Sequence, residues 1–187
     1  MWARAELRGA IPSMGPRGVT SESAGFANTP GSERSGRCAG LAETTAIESG
    51  AAIPNERGDF VTTSEAITEG IRVEVTARYA PEHAEPSRWF FLYTIRVSNE
   101  GQETVQLLSR HWVIRDATGR IEEVRGPGVV GEQPVIEPGE SYEYTSGCPL
   151  PTPFGSMEGT YQLVTESGVE FDAQIAEFML REPGAIH

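Results

Sequence analysis

Three glycines in RGPGVVGEQP, residues 125–134, stand at the spacing of a GxGxxG nucleotide loop: Gly126, Gly128 and Gly131. In a dinucleotide-binding fold that loop follows a strand and opens a helix, whose first backbone N–H groups hold a pyrophosphate. The upstream strand is readable in RIEEV (120–124). The helix is not: one begun at Val129 runs into Pro134, where the ring removes a donor and clashes with the turn before it. The glycines are therefore expected to allow positive φ in a long connection between strands. The alternative is a small-anion or nucleotide-phosphate sensor, with Arg125 and the backbone of Gly126, Gly128, Val129, Val130 and Gly131 forming an anion nest next to Glu132. Those seven residues form the candidate ligand or partner loop.

Other reactive residue types are present but poorly arranged. Ser109, His111 and Asp116 offer the types of a nucleophilic triad, yet no strained nucleophile elbow surrounds the serine. His111 and Trp112 face opposite sides of a strand, as do Glu122 and Glu123, so the two carboxylates cannot share a substrate. Glu82, His83 and Glu85 could hold a divalent cation, but a solvated acidic loop is the simpler reading. Cys148 has no helix N-terminus to lower its pKa and reads as an inert thiol. All 15 basic residues are arginine, which removes the lysine of a P-loop or a Schiff base. The chain is read as a non-enzyme with no cofactor and no resident metal.

The chain has 187 residues, enough for one domain with a core. Its net charge of −12 opposes nucleic-acid binding, since no basic run gathers the arginines. No stretch approaches the roughly 18 apolar residues of a membrane span, and the N-terminus lacks the apolar run of a secretory signal. A cytoplasmic location without membrane insertion is expected. Cys38 and Cys148 are too few for a cysteine-rich zinc site and unsuited to a cytosolic disulfide.

Composition divides the chain near residue 60. Residues 1–60 hold nine of the 21 glycines and no sustained period, so they are expected to form a disordered N-terminal extension, with a short helix over 41–49. Residues 61–187 form the domain. GIRVEVTARY (70–79) alternates apolar and polar residues, as a half-buried strand does. WFFLYTIRVSN (89–99) reads as a central strand, and TVQLL with RHWVIRDA (104–117) as one long or bulged strand. SYEYTSG (141–147) follows a turn at EPGE, and GTYQLVTE (159–166) pairs with VEFDAQIAEFML (169–180) in a hairpin. CPLPTPFGSM (148–157) reads as a loop between them. Seven to eight short strands without an amphipathic helix predict an all-β antiparallel sandwich of the immunoglobulin or fibronectin type III class, with Trp89 and Trp112 in its core.

Four segments, LLSRHW, RGPGVVGEQP, PGESYEYTSGCPL and GSMEGTY, together resemble the bacterial ApaG family. The similarity runs from about residue 65 to about residue 180. It implies a fibronectin type III-like sandwich and an association with cobalt resistance and magnesium efflux. Related domains occur in eukaryotic F-box and DNA-polymerase-interacting proteins, and no enzymatic activity is established for the family. The resemblance therefore implies a protein-interaction module with an unidentified protein partner, linked to divalent-cation homeostasis. A single domain with no span cannot itself be a pump, so that link is expected to be indirect. Bacterial ApaG proteins begin close to the first strand, so residues 1–60 are either a tail or sequence upstream of the true start.

Overall fold

The computed structural model of the chain describes residues 45–47, 53–54 and 60–185. Most of the expected extension, and Cys38 and His187 with it, lies outside them. The strands are β1 (Thr45–Ile47), β2 (Ile53–Pro54), β3 (Phe60–Thr68), β4 (Ile71–Tyr79), β5 (Trp89–Asn99), β6 (Val105–Asp116), β7 (Ile121–Pro127), β8 (Val135–Ile136), β9 (Ser141–Leu150), β10 (Phe154–Thr165) and β11 (Glu170–Arg181). One sheet runs β1-β3-β4-β5-β9 with β2 also on β3; the other runs β11-β10-β6-β7 with β8 also on β6. Every ladder is antiparallel. The fold is the expected two-layer β-sandwich. The helix expected over 41–49 is a correction: Thr45–Ile47 pairs with β3 instead, and its β-branched ends favour extended chain.

Alternation sets the core. Ile71, Val73, Val75 and Ala77 of β4 and Phe91, Tyr93, Ile95 and Val97 of β5 are buried against Leu107, Trp112, Tyr161, Leu163, Ile175 and Phe178 of the second sheet. Trp112 meets Tyr93, Tyr161 and Phe178 with ring centroids 5.7–6.2 Å apart, edge-on in each case, a favoured geometry for aromatic pairs. Trp89 is only partly buried, and its indole N–H donates to Glu182 at 2.7 Å.

Two bulges keep long strands in register with the core. Leu108 is an extra residue in β6, between Leu107 opposite Leu163 and Ser109 opposite Gln162. It turns Leu107 and Trp112 to the same face although they are an odd number of residues apart. In β11, Ala176 and Glu177 together stand opposite Glu158, so Phe178 and Leu180 point inward like Ala173 and Ile175. Glu177 is thereby exposed.

Two segments depart from the sequence reading. CPLPTPFGSM is mostly strand, because β9 continues to Leu150 and β10 starts at Phe154. Pro149 is tolerated since β9 is an edge strand, where a missing donor can face outward. The other segment, β3, carries no apolar alternation; its buried face is Thr62, Ser64, Ala66 and Thr68. These hydroxyls bond to the outer edge of β11: Thr62 donates to the Met179 carbonyl at 2.5 Å, Ser64 donates to the Ala176 carbonyl at 3.1 Å, and Thr68 accepts from the Gln174 N–H at 3.1 Å. Side chains thus join the two sheets along this side of the sandwich.

Candidate functional site

The opposite side of the sandwich is open. There β9 ends one sheet and β7 ends the other, and no side-chain hydrogen bond joins them among the described residues. Between them lies a cleft of about 370 Å3. Its apolar wall includes Trp112, Val124, Val129, Tyr144, Cys148 and Leu150, and Arg110, Arg120, Arg125, Asp116 and Glu122 also line it. The period of two puts Glu122, Val124 and Gly126 of β7 toward the cleft, and Tyr144, Ser146, Cys148 and Leu150 of β9 toward the core behind it.

The glycine segment closes one end of this cleft. Val129 and Glu132 exchange backbone hydrogen bonds at 2.8 and 2.9 Å around Val130 and Gly131. Both central residues have positive φ, +43° and +84°, which makes the segment a two-residue hairpin turn of type I′. Gly128 has φ +54°, and a Cβ there would sit 2.0 Å from the Glu132 carbonyl oxygen, so only glycine fits. No helix follows; the chain continues into β8.

The bulge in β6 anchors the turn. The Leu108 carbonyl accepts from the Gly128 N–H at 2.8 Å and from the Gln133 side-chain amide at 2.7 Å. The Arg110 guanidinium donates to the Pro127 and Gly128 carbonyls at 3.1 and 2.7 Å. Val129 is completely buried. The N–H groups of Gly128, Val129 and Glu132 are therefore already bonded within the protein, and the Glu132 carboxylate accepts from the Tyr142 hydroxyl at 3.0 Å. Burial first, then Glu132, pushes the Tyr142 phenol up to about 12. Among the loop's candidate residues Arg125 extends a charged side chain into solvent: it is 72% exposed and reaches Glu123 at 3.4 Å.

Buried polar groups lie behind the cleft wall. The Tyr144 and Tyr161 hydroxyls share a hydrogen bond at 2.5 Å, and burial raises both phenols well above their usual range. Cys148 is a free buried thiol, pushed up to about 12 by burial and by the Glu122 carboxylate. Trp112, 3% exposed, has an indole N–H with no acceptor among the described residues. Sequence reasoning missed this group. Its signal was the aromatic in SRHW, which reads as core filling without revealing what its nitrogen meets.

The remaining candidates are dispersed. Ser109 donates to the Gln162 side chain at 3.3 Å, and His111 lies 3.0 Å from Glu123 on the outer face. Bonds from His111 and then Arg125 hold the Glu123 carboxyl below its usual range. Asp116 sits in the β6–β7 turn, accepting from the Thr118 hydroxyl and the Thr118 and Arg120 N–H groups. These contacts, the Thr118 hydroxyl bond foremost, lower its pKa. Glu122 faces the cleft and Glu123 faces out, as expected. Near the 3-10 turn Pro81–His83, Glu82 accepts from Arg78 at 2.8 Å, Glu85 lies 3.7 Å from Arg88, and the His83 ring meets Phe90 in a tilted contact with centroids 5.4 Å apart. The three do not converge, and no cluster of three or more His, Cys, Asp or Glu able to hold a metal occurs among the described residues.

The ApaG domain family model matches residues 79–165, from the end of β4 to the end of β10. Protein ApaG of Anaeromyxobacter dehalogenans strain 2CP-C is 55% identical over 124 residues, covering 66% of this chain and 99% of that protein. Protein ApaG of Bordetella pertussis strain Tohama I is 53% identical over 119 residues, 63% of this chain and 91% of that protein. The chain belongs to the ApaG family. A crystal structure of a Bordetella pertussis protein described as ApaA is similar with a TM-score of 0.59 and 52% identity, covering 62% of this chain and 95% of that one. The family's sandwich is the one seen here, and the matched region contains the cleft, the glycine turn and Trp112.

Proposed function

We propose that this ApaG-family chain is a non-enzymatic, cytoplasmic binding module that engages a protein partner through the cleft between β7 and β9. The observation that carries the reading is the cleft itself: at about 370 Å3 it falls in the range of ligand sites, and it is flanked by two strand edges with no outer partner among the described residues. Such edges are usually blunted or covered in soluble proteins, and an uncovered pair is a template for another chain. The catalytic residue types are held apart by separate partners, which supports binding over chemistry. The association with cobalt and magnesium handling implied by the ApaG resemblance then runs through the partner. No helix among the described residues is long and apolar enough to cross a membrane.

Affinity capture from native lysate tests this reading by comparing the intact chain with Val124→Asp/Arg125→Glu. A partner retained at physiological salt by the intact chain and lost by the variant supports it; equal capture by both, or none by either, refutes it. The anion-sensor reading has one observation in its favour, the exposed Arg125 at the mouth of the turn. It requires amide shifts confined to 125–132 when ATP, GTP or pyrophosphate is added.

A further inference from the structure

The two sides of the sandwich are unequal. On one, the β3 hydroxyls satisfy the β11 edge; on the other, the β7 and β9 edges face an open cleft whose wall includes Trp112, with a covered indole N–H that has no acceptor among the described residues. A buried donor without a partner costs about 1–3 kcal/mol, so whatever fills the cleft gains by bringing an acceptor to Trp112. Two strand edges left unpaired among the described residues also call for backbone donors and acceptors along their length. An extended peptide supplies both: carbonyl oxygens for the indole, and a regular ladder for an edge.

Charge narrows the class. The whole chain carries −12, yet the cleft lining has three arginines, Arg110, Arg120 and Arg125, against two acids, Asp116 and Glu122. Arg125 is shared with Glu123, whereas the exposed Arg120 side chain forms no ion pair among the described residues. An arginine with no salt bridge at the cleft rim of an acidic molecule favours an anionic segment and discourages basic ones.

We propose that the cleft binds an extended, acidic peptide segment of a partner protein as an added strand between β7 and β9, with one of its carbonyl oxygens accepting the Trp112 indole N–H. This rests on the reading of the chain as an interaction module and names what that module recognises. Aliphatic side chains of the segment pack against Val124 and Leu150, while its carboxylates meet Arg120 and Arg125.

The test begins with a phage-displayed library of linear nonapeptides panned against the intact chain and against Arg120→Glu/Arg125→Glu. Both substitutions are at exposed positions, and near-ultraviolet circular dichroism confirms that the variant is folded. Peptides mixing aliphatic and acidic residues are expected from the intact chain, with binding at least ~10-fold weaker on the variant. An enriched synthetic peptide titrated into the labelled chain should shift the Trp112 indole resonance and the amides of 121–127 and 141–150; Trp112→Phe identifies that resonance. No enrichment, enrichment that ignores the charge reversal, or a bound peptide that leaves the Trp112 indole unmoved overturns the proposal. Pyrophosphate that moves the Trp112 indole and displaces the peptide also overturns it, in favour of a small anion. A lysate partner still lost on Val124→Asp/Arg125→Glu when no peptide binds would leave the interaction module standing and sink only the peptide.

Discussion

The β3–β11 seam yields a test that separates a closed side of the sandwich from decoration. Thr62→Val keeps the shape of the side chain and removes only the donor to the Met179 carbonyl, a 2.5 Å bond from a buried hydroxyl. A bond of this kind contributes about 1 kcal/mol net, and leaving its partner unsatisfied raises the loss to about 1–2 kcal/mol. Ser64→Ala and Thr68→Val remove the bonds to Ala176 and Gln174 at about 1 kcal/mol each. The triple variant should therefore lose about 3–4 kcal/mol, a large share of the roughly 5–15 kcal/mol typical of a domain. Thr94→Val is the control: its hydroxyl lies 2.8 Å from Thr145 on an exposed face, where the cost is within about 0.5 kcal/mol. Denaturant midpoints of the four single variants and the triple give the magnitudes, and amide exchange at Gln174 reports the Thr68 bond directly. A triple variant within about 0.5 kcal/mol of the parent, or a Thr94→Val cost equal to that of Thr62→Val, refutes the reasoning.

The glycine turn predicts an ordering. Gly128→Ala, at φ +54° with its Cβ 2.0 Å from the Glu132 carbonyl oxygen, should cost about 2–4 kcal/mol by denaturation, against about 1 kcal/mol for Gly131→Ala, which meets no atom within 4 Å. Tyr161→Phe leaves the buried Tyr144 hydroxyl without its 2.5 Å partner and should lower stability by about 1–2 kcal/mol. Alkaline pH should destabilise the fold. Cys148 is raised from 9.0 to about 12, so its contribution is complete below about pH 9 and lost as pH rises toward the folded value, with a limiting slope near 1.4 kcal/mol per pH unit. Tyr144 and Tyr161 shift in the same direction and act above about pH 10. Denaturation at stepped pH should show this decline, and Cys148→Ala should flatten its first part. In a Cys38→Ala background, a thiol reagent at about pH 8 should label Cys148 only after denaturant is added.

The strands whose inward residues are large and apolar were legible. Val73, Val75, Ile95, Val97 and Leu163 announce themselves by alternation, and the sandwich follows from them. The strand β3 was invisible because Thr62, Ser64 and Thr68 look like a solvent face in sequence, while in the fold they serve the edge of a strand more than a hundred residues away. Pro149, Pro151 and Pro153 suggested a loop because proline usually breaks a sheet; Pro151 and Pro153 do lie in the bend between β9 and β10, and the edge position of β9 removes the objection for Pro149. For the glycine segment, Pro134 correctly predicted a turn without a helix. Its anchoring on the Leu108 bulge could not be read, since a bulge shows only when both strands are paired. The cleft was out of reach for a related reason: it is defined by which two strands end their sheets, and by an indole whose partners depend on the whole assembly.

The measurement that addresses the binding face most directly is hydrogen exchange on the chain alone and in complex with the captured partner. Slowed exchange concentrated in 121–132 and 141–150, the stretches that border the cleft, is the predicted result. Protection confined to β3 or to the β10–β11 hairpin, with those two stretches unchanged, would contradict it.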